Sequence, residues 1–277
     1  MASYCITPGI KNKFNEMGIN KVINIYNKYL QYFGELKMIN PNELKIKIFA
    51  DGAEINTMKK AYYEGMIKGF TTNPSLLKKA GVINYENFAK EVLNEITDLP
   101  ISFEVFADDF YIMEKEAKKI ASWGNNVNVK IPITNTRGES SIPLINKLID
   151  EGININITAI LTIEQIKDIY KEIPKNSKII VSIFAGRIAD TGRDPIPYMM
   201  EAVDILKSNK NTEVLWASSR ELLNIFQAQN CGCHIITVTP DILSKLQMYK
   251  KNLTELSLET VRTFYNDAKQ AGYKILS

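Results

Sequence analysis

From about residue 45 to the C-terminus, short Ile- and Val-rich runs alternate with longer segments of helical period, and this alternation constrains the fold more than any other feature. The runs cover residues 45–51, 69–73, 101–107, 127–133, 153–158, 178–185, 213–218 and 234–238. Helical periods cover, among others, residues 111–122, 163–172, 197–208 and 240–249, and residues 257–272 read as a terminal helix. A strand followed by a helix, repeated about eight times, is the pattern of an α/β protein whose parallel sheet closes into a (β/α)8 TIM barrel. Residues 45–277 are therefore expected to form one barrel domain. Residues 1–44 precede it as an N-terminal extension. Within that extension residues 19–33, rich in Ile, Tyr and Val, are expected to be helical and to pack on the barrel or on a neighbouring subunit.

A chain of 277 residues with 45% hydrophobic content can bury one large core. The net charge of +3 is mild, and no Lys/Arg block is interleaved with aromatics, which argues against nucleic acid as the main partner. The start of the chain lacks the basic and apolar parts of a signal peptide. No apolar run is long enough to span a bilayer, so the expectation is a cytoplasmic protein with no membrane partner. The three cysteines, Cys5, Cys231 and Cys233, make a poor disulfide framework and read as reduced thiols. With His234 as the single histidine, a His-rich zinc site or a Ser-His triad has little material. A carboxylate-held Mg²⁺ stays open on composition alone.

Side chains on a strand alternate between faces, so each run can be split into two sets. In residues 127–133, Val127, Val129, Ile131 and Ile133 share one face and Lys130 lies on the other. A lysine on the second face of a core strand is desolvated, which pushes its pKa down and makes it a candidate Schiff-base nucleophile. The plainer reading is an edge-strand lysine in water. The other runs oppose it. Asp51 falls opposite Ile46 and Ile48, and Glu104 opposite Ile101, Phe103 and Val105. Thr158 falls opposite Ile153, Ile155 and Ile157, and Ser182 with Phe184 opposite Val181 and Ile183. By the same rule Trp216 and Ser218 are expected inward, opposite Leu215 and Ala217. One polar group per strand, always opposite the aliphatic face, describes a polar cup at a barrel mouth. Active groups in such barrels come from the C-terminal strand ends and the loops after them. A solvent-facing antiparallel sheet is the competing reading, and the long helical segments between strands oppose it.

The motifs that carry these residues resemble the transaldolase family. They are Phe49-Ala50-Asp51, Gly69-Phe70-Thr71-Thr72-Asn73-Pro74-Ser75, Phe103-Glu104-Val105, Val129-Lys130-Ile131-Pro132-Ile133-Thr134, Asn156-Ile157-Thr158, Ser182-Ile183-Phe184-Ala185-Gly186-Arg187-Ile188 and Ala217-Ser218-Ser219-Arg220. They occur in family order over residues 45–245. The resemblance implies Lys130 as the Schiff-base lysine and Asp51 as the acid/base at the hydroxyl beside the bond being broken. It implies Glu104 and Thr158 as holders of the proton-shuttling water. Asn73, Ser75 and Ser182 would contact the donor's hydroxyls, with Phe184 beside the lysine-bound intermediate, and Arg187, Ser218 and Arg220 would contact the phosphate. The chain departs from the family pattern at Gly52, Ile183, Trp216 and Ser219. If Trp216 lies inward, it should alter the depth of the pocket.

The implied reaction is transfer of a dihydroxyacetone unit from a ketose phosphate, sedoheptulose 7-phosphate or fructose 6-phosphate, to an aldose phosphate. The protonated imine is the electron sink, so neither a metal nor an organic cofactor is implied. The implied partners are phosphorylated sugars and further copies of the chain in a homo-oligomer. The same residues also fit a simple aldolase that releases free dihydroxyacetone, or an enzyme of a specialised pathway acting on another sugar. From a different class, a non-catalytic phosphosugar-binding or assembly protein is the competitor, and the intact set Asp51, Glu104, Lys130 and Thr158 opposes it.

Overall fold

The computed structural model describes residues 41–276, so the extension up to residue 40, with its expected helix, lies outside the described residues. Eight strands follow: β1 (Lys47–Asp51), β2 (Gly69–Thr71), β3 (Ile101–Glu104), β4 (Val127–Pro132), β5 (Ile155–Ile160), β6 (Ile179–Ile183), β7 (Thr212–Trp216) and β8 (Ile235–Val238). Each pairs in parallel with the next, and β8 pairs with β1, which closes the barrel.

The helices are α1 (Ile55–Tyr63), α2 (Pro74–Lys79), α3 (Tyr85–Glu95), α4 (Phe110–Ala121), α5 (Ile142–Asp150), α6 (Ile163–Glu172), α7 (Ala185–Asp190), α8 (Pro195–Leu206), α9 (Leu223–Asn230), α10 (Pro240–Ser244) and α11 (Leu253–Gln270). Their starts carry local signals. Asp109 accepts from Ile112 N at the head of α4, and Thr162 and Gln165 form a reciprocal capping box on α6.

Two apolar layers result. Ile48, Val129, Ile131, Ile157 and Val181 face outward and are buried under the helices. Inside, Phe49, Ile180, Leu215 and Ile235 form a separate plug, with Ala217 and Phe184 at its upper edge. Gly69 on β2 makes room for that plug, since a Cβ there would meet the Phe49 ring at 2.6 Å.

β7 reverses the expected alternation. Leu215 pairs with Ser182 and faces inward, while Trp216 pairs with Ile183 and is buried in the outer layer. Trp216 therefore does not fill the pocket. The run Val214-Leu215-Trp216-Ala217 is apolar on both faces, so a period-two pattern carries no sign of which face turns inward.

Outside the barrel, α11 buries no residue, and Leu253, Val261 and Phe264 are 79%, 60% and 69% exposed. Among the described residues no helix is long and apolar enough to cross a membrane.

Candidate active site

A cavity of about 600 Å³ opens at the C-terminal end of the barrel. It is lined by Asp51, Asn73, Ser75, Glu104, Lys130, Ser182, Phe184, Arg187, Ser218 and Arg220, every predicted site residue except Thr158. Its floor is set by strand register. Glu104 on β3 lies directly beside Lys130 on β4, so both side chains point into the barrel. Lys130 is only 6% exposed, and its Nζ donates to Thr72 O at 3.1 Å and sits 3.0 Å from Glu104 Oε2. Each contact matters, because a buried ammonium without partners is strongly disfavoured.

Asp51 closes the other side of the floor. Thr71 Oγ1 donates to Asp51 Oδ1 at 2.8 Å, and Thr237 Oγ1 lies 2.5 Å from Thr71 Oγ1. Because Thr71 spends its single proton on the carboxylate, Thr237 is the donor in the second contact. Burial pushes the Asp51 carboxyl above the ordinary carboxylate range. The Lys130 charge and the Thr71 hydrogen bond oppose that shift, and the Glu104 charge adds to it.

Thr158 lies behind the floor. It is fully buried at an irregularity in β5, where the register shifts between Ile157 and Ile160 and Ala159 has φ 61°. Its Oγ1 has no hydrogen-bond partner among protein groups, which is unusual for a buried hydroxyl. Ser182 Oγ donates to Asn156 Oδ1 at 2.7 Å, and Asn156 Nδ2 donates to Ser102 Oγ at 3.0 Å, so one polar ladder crosses β6, β5 and β3.

The upper wall carries the cations. The Arg187 guanidinium lies over the Phe184 ring, 5.6 Å from its centre. Arg220 is held by Asp190, which also lines the cavity: the arginine Nε and Nη2 donate to the two oxygens of Asp190 at 3.1 and 2.5 Å. Asn73 Oδ1 accepts from Leu76 N and caps α2, which leaves its amide N–H groups available. Ser218 has φ 63°, a left-handed conformation that costs energy for a residue with a Cβ. Ser219 Oγ donates to Thr237 O at 2.9 Å, so that hydroxyl is spent on β8.

The profile of the transaldolase/fructose-6-phosphate aldolase family matches residues 48–275. The chain belongs to that family. A probable transaldolase of Thermoanaerobacter sp. (strain X514) is 35% identical over 231 residues, covering 83% of this chain and 100% of the relative. A probable transaldolase of Caldicellulosiruptor saccharolyticus is 37% identical, with 77% and 94% covered. Among solved structures, a monomeric dihydrodipicolinate synthase variant superposes with a TM-score of 0.54 at 11% identity, covering 85% of this chain and 82% of that one. That likeness concerns the barrel alone. The family membership makes this barrel an enzyme's.

Thr71, Thr237 and Asp190 also line the cavity and are not among the residues expected from the sequence. Thr71 and Thr237 were within reach of the alternation rule, since each neighbours an outward apolar residue, Phe70 and Ile236. Nothing local marks Asp190, whose meaning comes from Arg220 thirty residues away in the chain.

Proposed function

We propose that this enzyme transfers a dihydroxyacetone unit from a ketose phosphate to an aldose phosphate through a Schiff base on Lys130. The observation that carries the reading is the Lys130 amine. It sits on the cavity floor between Glu104 and Thr72 O, across from a carboxyl whose affinity for protons is raised by burial.

To attack the C2 carbonyl, the amine must lose a proton, and Glu104 at 3.0 Å is the acceptor within reach. Water leaves the carbinolamine and an iminium forms. Asp51 then takes the C4 hydroxyl proton, the C3–C4 bond breaks, and its electron pair moves into the iminium to give an enamine and a free aldose phosphate. The enamine adds to an acceptor aldehyde, Asp51 returns its proton, and water releases the product. The unpartnered Thr158 hydroxyl beside this floor suits it, with Glu104, to hold the water of imine formation and hydrolysis.

Arg187 and Arg220 at the upper wall suit a phosphate, since guanidinium is permanently charged and binds it in a bidentate manner. Ser218 lines the same cavity as a further donor, and Asn73, Ser75 and Ser182 are suited to meet the sugar hydroxyls. Phe184 supports transfer over release: it presents an apolar ring where a hydroxyl would hand a proton to the enamine. The exposed apolar side chains of α11 support a homo-oligomer, and the reading is of a cytoplasmic enzyme of pentose phosphate metabolism.

Borohydride reduction with fructose 6-phosphate, followed by mass mapping, tests the proposal. Modification of Lys130 is expected. Labelling of another lysine, or of none with any sugar phosphate, overturns it.

A further inference from the structure

Both partners of the Lys130 amine, the Glu104 carboxylate and the Thr72 carbonyl, sit where the barrel ladder ends. β2 stops at Thr71, and the last backbone bond from its side to β3 is Thr72 N to Ser102 O at 3.1 Å. Continued parallel pairing would give the Glu104 N–H to Thr72 O. Instead Thr72 O accepts from Lys130 Nζ, and the Glu104 N–H donates to the phenol oxygen of Tyr85 at 2.8 Å. The same phenol donates to Glu104 O at 3.3 Å and lies within reach of the Thr72 side chain. A side chain from α3 thus replaces the missing strand. Its ring is wedged among Phe103, Phe106 and Trp123, with centroids at 6.0, 4.7 and 5.3 Å, which fixes where the hydroxyl can be.

We infer that Tyr85 is a positioning residue for the amine of Lys130: by satisfying the Glu104 backbone it frees Thr72 O to turn inward and holds both amine partners at the ladder's end. Tyr85 does not line the cavity, and its hydroxyl bonds the Glu104 backbone. It acts through Glu104 and Thr72. The inference rests on the Schiff-base reading.

Tyr85→Phe keeps the ring contacts and removes only the hydroxyl. The rate of borohydride trapping on Lys130 with fructose 6-phosphate is expected to fall by about tenfold, a size that one lost hydrogen bond of the 1.4 kcal/mol class produces. Its pH profile should move, and the KM for the donor should hardly change. Combining Tyr85→Phe with Glu104→Gln should cost little more than Glu104→Gln alone, because both changes act on the same group. Wild-type trapping rate and pH profile in Tyr85→Phe overturn the inference. So does a penalty that adds in full to that of Glu104→Gln, even if the melting temperature falls. Absence of trapping in the wild type would overturn the Schiff-base reading instead, so the two failures are distinct.

Discussion

The two mouths of the barrel are similar in size and opposite in chemistry. The cavity at the N-terminal mouth measures about 670 Å³ and the one at the C-terminal mouth about 600 Å³, so volume does not tell them apart. At the N-terminal mouth Lys47 pairs with Glu213 at 2.7 Å, and both are partly exposed to water. The single histidine also lies at this end, its Nδ1 accepting from Val214 N at 3.0 Å, a strand-start role of the kind its position in the sequence suggests. At the C-terminal mouth the charges are recessed and crowded. A lysine and two carboxylates share the floor, Asp51 is pushed toward its neutral form, and Thr158 keeps an unpaired hydroxyl. On the proposed reading, what distinguishes the reactive mouth is this recessed crowding of ionisable groups, and strand direction determines which mouth receives it.

The sharpest break in that comparison is Lys130→Ala, which should abolish borohydride trapping and transfer while leaving the circular dichroism spectrum unchanged. Asp51→Asn should come next, lowering cleavage by about 10² to 10⁴ while imine formation survives. It also carries a pH signature. Because the folded pKa of Asp51 lies above its unfolded value, ionising it destabilises the fold at pH above the folded pKa. The variant should therefore melt higher than wild type near neutral pH. The gain should shrink as pH falls through the folded pKa and level off below roughly 3.9. The acid limb of wild-type activity should likewise sit above the ordinary aspartate range.

Arg187→Ala and Arg220→Ala should each weaken phosphorylated donors by about 1.5 to 3 kcal/mol and leave unphosphorylated analogues nearly unaffected. Equal losses for both would make these arginines structural. Phe184→Tyr should change partitioning more than turnover, raising the release of free dihydroxyacetone when acceptor is withheld. A change in stability without a change in partitioning would mark Phe184 as packing. At the other mouth, Lys47→Ala should leave activity untouched and cost no more than about 1 kcal/mol, the range for solvent-exposed ion pairs.

The fold is legible because the outward faces of β4, β5 and β6 are uniformly aliphatic and their opposite faces carry polar residues toward the C-terminal ends, so alternation assigns Lys130, Thr158 and Ser182 inward together. β7 shows where that signal fails. With apolar residues on both faces, the pattern placed Trp216 inward, although it lies under the helices. Ser218 still lines the cavity, but for another reason: it leaves the strand through a left-handed residue, which inverts the side to which the chain presents it. The floor contacts of Thr72 O and Tyr85 were not legible, because they arise where β2 ends, and strand ends are set by tertiary packing.

Gly186 lies where α7 crosses the end of β7, and a Cβ there would meet Ser218 O at 1.6 Å. The loops that carry Arg187 and Arg220 therefore meet backbone to backbone at Gly186 and Ser218, where no side chain could be added to α7 without displacing the other loop. That contact fixes the spacing of the two main chains from which the arginines project. On the proposed reading, substrate range could drift through Phe184, Ser219 or Asp190, whereas the spacing of the two arginine-bearing main chains resists change, like the gauge of a railway on which different carriages run.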